Sequence, residues 1–266
     1  NWNGAGDGRF KVMMGPHAPY TCPPDYIRKV RDVAEKYDMP IHIHLSETKG
    51  EVENCEKEYH MTPIALMDSL GLFERPTLAA HCVHVTDDDI RIMKEKHVCA
   101  AHNPASNLKL ASGIAPVPKM RKAGITVGIG TDGASSNNKL DMFAEMRLTA
   151  LIHKAANYDP FAITAKEAVD MATKDGAKCL GYDNLGELKE GFLADIILVD
   201  RTGFHWKPRF DSVSLAVYAG NSMDVDTVII NGRPVMEHKE LLTIDTEKMD
   251  AEVKRVTEKL YAFTNK

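Results

Sequence analysis

Five short apolar runs in this chain each end in a histidine or an aspartate, and that repeat constrains the fold more than any other feature. "FKVMMGPH" stops at His17, "MPIHIH" at His44, "PTLAAH" at His81, "HVCAAH" at His102 and "GITVGIGTD" at Asp132. The intervals of 27, 37, 21 and 30 residues are close to the length of a strand, a helix and two loops. The intervening segments read as helices. Residues 24–37 put Ile27, Val30, Val33 and Tyr37 on one face, with Pro24 near the start. Residues 86–96 open with a threonine and an acid three positions later, a capping box. Residues 141–154 align Met142, Met146, Thr149 and Ile152 or His153. Short apolar runs alternating with helices predict βαβ units and a parallel sheet. In such folds, above all the (β/α)8 barrel, chemistry collects at the carboxyl ends of the strands. All five terminal side chains would stand there.

After Asp132 the pattern changes. Helical stretches at about 141–156 and 164–180 follow, and then "GELKEGFLADIILVD" reads as a glycine-punctuated turn and a strand from Ala194 to Val199. Asn231-Gly232 between apolar runs marks a hairpin. Residues 246–263 return to a charged helix. The expected organisation is a barrel segment over 1–185, part of a small β-structure over 186–245 and a C-terminal helix over 246–266. Five strands fall short of the eight that close a barrel. The expectation is therefore that three further strands precede residue 1 and that the chain is the C-terminal part of a longer protein.

Composition excludes some classes. A net charge of −5, with no cluster of Lys or Arg, argues against a nucleic-acid or anionic-membrane surface. No apolar stretch approaches the roughly 18 residues needed to cross a bilayer. The first ten residues are polar and glycine-rich, unlike a leader. Cys22, Cys55, Cys82, Cys99 and Cys179 are odd in number and never spaced as Cys-x-x-Cys. They read as reduced, mostly buried thiols, which points to the cytoplasm.

The motifs "GPHAPYT", "HIHLSET", "AAHCVH", "AHNPASNLKLASGIAPV" and "GIGTDGASSNN", in that order, resemble the amidohydrolase superfamily. More narrowly they resemble its 5-methylthioadenosine/S-adenosylhomocysteine deaminases and the related triazine hydrolases. The tail "GELKEGFLADIILVD … VDTVIINGRPV" is similar to the small β-sandwich domain of the same enzymes. The resemblance spans nearly the whole chain. It implies an α/β fold made of strands four to eight of a metal-dependent (β/α)8 TIM barrel plus part of a β-sandwich. It also implies one divalent metal, zinc or sometimes iron, held by a His-x-His pair on strand one, a histidine on strand five and an aspartate on strand eight.

His44 and Asp132 match the last two ligands, and the strand-one pair has no match. His42-x-His44 has the right geometry for such a pair, since residues i and i+2 share a strand face. Only 88 residues separate His44 from Asp132, however, whereas strands one to eight need roughly 200. His44 is therefore placed on strand five, and His42 reads as an interior or supporting residue.

The resemblance also implies roles. Glu47 would be the proton shuttle, and His81 would orient the attacking water or stabilise charge on it. Asp132 would take that water's proton, and His17 would contact the ribose or base of a nucleoside. His102, Asn103, Ser106 and Asn107 would shape the loop after strand seven, with a direct substrate role left open. His84, Asn137 and Asn138 read as loop residues. The implied reaction is hydrolytic deamination of an adenosine-type nucleoside by a homo-oligomer, with no nucleic-acid or membrane partner. A triazine, guanine or cytosine hydrolase of the same group is the alternative, as is an inactive scaffold.

Overall fold

The computed structural model describes residues 2–264. Helix α1 (Pro24–Lys36) leads to strand β1 (Ile41–Leu45), and α2 (Lys49–Tyr59) and α3 (Pro63–Ser69) lead to β2 (Thr77–His81). Helix α4 (Asp87–Glu95) precedes β3 (Cys99–His102), and α5 (Pro104–Lys109) and α6 (Val117–Lys122) precede β4 (Val127–Ile129). The four strands form a parallel sheet in the order β1-β2-β3-β4. The fifth expected strand, ending at His17, is reduced to a bridge between Met14 and Ile41. Its carbonyls still serve the sheet edge: Met14 O accepts His42 N at 2.9 Å and His17 O accepts His44 N at 3.1 Å. Pro16 and Pro19 have no N–H to give a ladder, which keeps this segment from pairing as a full strand.

Alternation along β1 sets up everything that follows. Ile41, Ile43 and Leu45 are fully buried and join a core with Ile27 and Ala34 of α1 and Ile64 and Met67 of α3. Burial of each such side chain contributes about 1.5–3 kcal/mol. His42 and His44 lie between them and so face the other side of the sheet. The buried stripe of α1 is Ile27, Val30 and Ala34, while Val33 and Tyr37 are exposed. Val33 sits one step off the i, i+3, i+7 stripe, and Tyr37 lies beyond the last helical residue. The capping box of α4 forms as expected. Thr86 Oγ1 accepts Asp89 N at 3.1 Å, and Asp89 Oδ2 accepts Thr86 N at 2.8 Å.

Helices α7 (Met142–Asn157), α8 (Ala165–Ala172) and α9 (Lys174–Cys179) then pack in succession and against β4. Glycines permit the closest approach. A Cβ on Gly128 of β4 would lie 3.1 Å from Gly176 Cα of α9.

Strand β5 (Ile196–Val199), helix α10 (Ser212–Tyr218) and strands β6 (Val225–Ile230), β7 (Arg233–Glu237) and β8 (Glu240–Leu241) follow. The strands form an antiparallel sheet in the order β5-β6-β7-β8. Its first strand begins at Ile196, two residues after the expected Ala194. Asn231 and Gly232 turn the β6–β7 hairpin with φ of 50° and 74°, the left-handed pair that matches strand twist. Helix α10 has no sequence-based counterpart. It packs on α7 and α8 with Val217 fully buried, and nearby Ser222 Oγ donates to Asp141 at 3.0 Å. Helix α11 (Thr246–Thr264) ends the described chain and buries no residue. Among the described residues, no helix is long and apolar enough to cross a membrane.

Candidate active site

A cavity of about 540 Å³ opens on the face of the parallel sheet opposite the β1 core residues, lined by His42, His44, Ala80, Ala101, Asn103 and Asp132 among others. Residues of α9 form part of its wall, including Gly176 and Ala177.

His44 is fixed by backbone. Its Nδ1–H donates to the carbonyl oxygen of His17 at 2.7 Å, which leaves Nε2 with a lone pair. The same carbonyl accepts His44 N. The His17 ring is exposed and holds Thr21 Oγ1 at 2.8 Å through Nδ1. Four histidine rings adjoin. His17 lies 5.1 Å from His44, His42 lies 6.0 Å from it, and His81 stacks on it at 5.4 Å and 24°.

Asp132 follows β4 in a left-handed backbone, φ 59°. Ser106 and Ser136 hydroxyls donate to its Oδ2 at 2.6 and 2.7 Å, and Gly133 N–H donates to Oδ1 at 2.7 Å. Burial works against its charge. The two serine hydroxyls, the Gly133 N–H and nearby His81 outweigh that and hold the carboxyl below its ordinary value.

Glu47 stands just past β1. Its Oε1 accepts Ser112 Oγ at 3.1 Å, and its Oε2 lies 3.7 Å from His81 Nε2. The loop that presents it is clamped by buried Glu51, whose two carboxylate oxygens accept Ser46 N at 2.8 Å and Glu47 N at 2.7 Å. Burial is the main reason the Glu51 carboxyl titrates above its usual range. His84 is a loop residue as expected, and it also has a task. Its Nε2 donates to Ser112 O at 2.7 Å and so fixes the backbone that presents the Ser112 hydroxyl.

His81 is buried, and its Nδ1–H donates to Asn107 Oδ1 at 2.8 Å. Strict alternation after Leu78 and Ala80, which line the cavity, would turn His81 away from it. Left-handed φ values of 72° at His81 and 48° at Cys82 break the alternation and bring the ring onto His44. Such non-glycine conformations cost of order 1–3 kcal/mol each and gather at functional sites.

His102 obeys the alternation, and this corrects its place in the repeat. Ala101 lines the cavity, so His102 points to the helix side and pairs with His153 of α7, Nε2 to Nε2 at 3.1 Å. Both rings are buried, and burial lowers the pKa of each, that of His153 to about 4. The neighbouring loop does reach the site. Ser106 and Asn107 of α5 hold Asp132 and His81, and Asn103 lines the cavity. Buried Glu145 anchors this arrangement by accepting Ala105 N at 3.1 Å and Asn137 Nδ2 at 2.6 Å. Asn137 is thus a tie between the β4 loop and α7. Ser112, Ser136, Glu51 and Glu145 were not singled out from sequence. Ser112 and Ser136 lie within "AHNPASNLKLASGIAPV" and "GIGTDGASSNN", whereas Glu51 and Glu145 lie outside the five motifs.

The chemistry of the donors suits a divalent metal such as zinc. His44 offers a neutral imidazole with a fixed tautomer, and Asp132 offers an ionised carboxylate. Among the described residues, no group of three or more His, Cys, Asp or Glu is arranged to hold a metal ion. The two donors fit as part of a ligand set and not as a complete one.

Known proteins are similar to this chain in sequence and in fold. The 5-methylthioadenosine/S-adenosylhomocysteine deaminase of Dictyoglomus thermophilum is 55% identical over 255 residues, 96% of this chain and 60% of that protein. The protein of the same name from Pelotomaculum thermopropionicum is 52% identical over 96% of this chain and 59% of its own length. The chain thus spans about 60% of the length of the curated relatives it matches. Among solved structures, a zinc-bound adenosine deaminase from Xanthomonas campestris superposes with a TM-score of 0.94 at 35% identity, covering 98% of this chain and 60% of that one. The zinc complex of atrazine chlorohydrolase TrzN from Arthrobacter aurescens gives 0.88 at 29% identity, over 93% and 55%. Residues 1–235 match the Amidohydrolase family, and the chain belongs to that family.

Proposed function

We propose that this chain carries catalytic residues of a metal-dependent hydrolytic deaminase acting on an adenosine-type nucleoside, 5-methylthioadenosine or S-adenosylhomocysteine. The observation that carries the reading is the convergence of Glu47, His81, His44 and Asp132 at the carboxyl ends of parallel strands, each held by a dedicated hydrogen-bond partner. Relatives of that name at about half identity along nearly the whole chain support the substrate class. The reading extends the sheet to strands four to eight of a (β/α)8 barrel, with the antiparallel sheet as part of a β-sandwich. His44 and Asp132 would supply two metal ligands, and the proposed activity is that of the protein with a complete ligand set. We place it in the cytoplasm as a homo-oligomer. Zinc is favoured over iron because the two solved relatives described above hold zinc.

When bound, the metal lowers the pKa of its water to about 7 and supplies a nucleophile at neutral pH. The residues of this chain do the rest. Asp132, held ionised by Ser106, Ser136 and Gly133, accepts a proton from the attacking water. His81, its tautomer set by Asn107, offers the Nε2 lone pair to accept from that water and orient it. Glu47 delivers a proton to the ring nitrogen from Oε2 while Ser112 holds Oε1; the departing amine takes the proton that Asp132 accepted, and Glu47 recovers its own from the adduct hydroxyl as the carbonyl forms. His17, exposed and with its ring 5.1 Å from that of His44, contacts the ribose or base.

The test is ammonia release from 5-methylthioadenosine by the zinc-loaded protein, with zinc content measured alongside. The expected result is stoichiometric ammonia and a loss of about 10²–10⁴-fold in Glu47→Gln at unchanged zinc content. Bound zinc with no ammonia from any adenosine nucleoside would overturn the reading. Chloride release from a triazine, or ammonia from guanine alone, would move the chain to the alternative substrates.

A further inference from the structure

Cys99 opens β3 and Cys179 closes α9, 80 residues apart in sequence. The Gly128–Gly176 contact brings α9 onto the sheet. Cys179 Sγ consequently lies 3.8 Å from the carbonyl oxygen of Ala100, the residue after Cys99, and 3.9 Å from that of Thr126. The two thiols are close enough to influence one another: the neighbouring Cys179 thiol lowers the Cys99 thiol pKa from its ordinary value, and Cys99 raises that of Cys179.

Both cysteines line a cavity of about 470 Å³. It lies towards the amino ends of the strands, where Pro40 and Thr77 also line it, away from Glu47 and His81. Cys99 is half-buried and the more accessible of the two. Lys11, Arg75, Lys178 and His97 line the same cavity, with Asp38 as an acid paired to Arg75. The cavity is therefore cationic on balance and suits a carboxylate-bearing reagent.

We propose that Cys99 and Cys179 are a redox-active dithiol that closes to an intramolecular disulfide by exchange with an anionic low-molecular-weight disulfide of the glutathione type. The Cys99 thiolate attacks one sulfur of the reagent. A Cys99–reagent bond forms, the reagent's S–S bond breaks, and one thiolate leaves. Cys179 then gives up its proton, attacks Cys99 Sγ and displaces the second thiolate. The protein loses two electrons and two protons, and the reagent becomes two thiols. The lowered thiol attacks first because only the thiolate is nucleophilic.

The other three cysteines are poor competitors. Cys22, Cys55 and Cys82 are buried, and burial pushes Cys55 up to about 11 and Cys82 higher than its ordinary value. Cys179 also lines the site cavity. The new bond would therefore tether the wall formed by α9 to β3.

The experiment exposes the native full chain to oxidised glutathione and reads free-thiol titre, intact mass and the cross-linked peptides of a digest. The expected result is loss of two of the five free thiols, a mass lower by two hydrogens, and a single Cys99–Cys179 linkage reversed by dithiothreitol. Cys179→Ser should stop at a mixed disulfide on Cys99, and Cys99→Ser should lose no thiol. Wild-type protein that keeps all five thiols, forms only mixed disulfides, or links any other pair would overturn the proposal. That wild-type result needs no variant to fold.

Discussion

The parallel sheet and the antiparallel sheet solve the burial problem differently. In the first, β1 alternates fully buried Ile41, Ile43 and Leu45 with site histidines, and every residue of β2 is buried. In the second, the buried residue is Thr227, while Ile197 and Leu198 are 49% and 51% exposed. Helix α11 goes further. Met249, Val253, Val256, Leu260 and Phe263 recur at four- and three-residue steps, and all are exposed. One layer has a core dense enough to hold strained site residues in place. The other has apolar surface and little that depends on it.

Substitutions should report that contrast, beginning with the largest. Ile43→Ala should cost about 2–5 kcal/mol in urea denaturation, whereas Val256→Ala should stay within about 0.5 kcal/mol. Equal losses would break the comparison. The second effect is a pH dependence. His153 binds its proton at about 4 in the folded chain against about 6.5 unfolded. Its neutral burial is thus fully stabilising above pH 6.5 and is lost progressively as the pH falls to 4. The loss is about 3 kcal/mol. His153→Gln should flatten that part of the stability–pH curve, and an unchanged curve would remove the His102–His153 pair from the account.

Asp141→Ala comes third, at about 1–2 kcal/mol. It removes the cap of α7, where Asp141 Oδ1 accepts Phe143 N at 2.9 Å and Ala144 N at 3.2 Å, and it frees Ser222. Thr86→Ala should cost about 1 kcal/mol through the α4 capping box. Leu198→Ala, on the antiparallel sheet, should cost less than either cap, and a larger loss would show that this sheet is packed more tightly than its exposure indicates.

Much of this was legible from residue pattern. The helices between strand ends, the α4 capping box and the Asn231-Gly232 hairpin are local, and local signals carry them. The clustering of His44, Glu47, His81 and Asp132 followed from placing each at a strand terminus. His102 marks the limit of a rule based on strand ends: its parity with Ala101 turns it to the helix side, onto His153. His81 shows the converse, since parity points it the wrong way and only the left-handed backbone, invisible in sequence, corrects it. The partners Ser112, Ser136 and Glu145 are brought in by tertiary packing, and no spacing rule reaches across the 65 residues between Glu47 and Ser112.

The hydrogen bond that sets the His44 tautomer comes from a main-chain carbonyl, and every amino acid at position 17 carries one. The side chain there can thus vary without removing that bond. A change of side chain at position 17 therefore remakes the surface beside His44 while the tautomer of His44 stays set by the main chain.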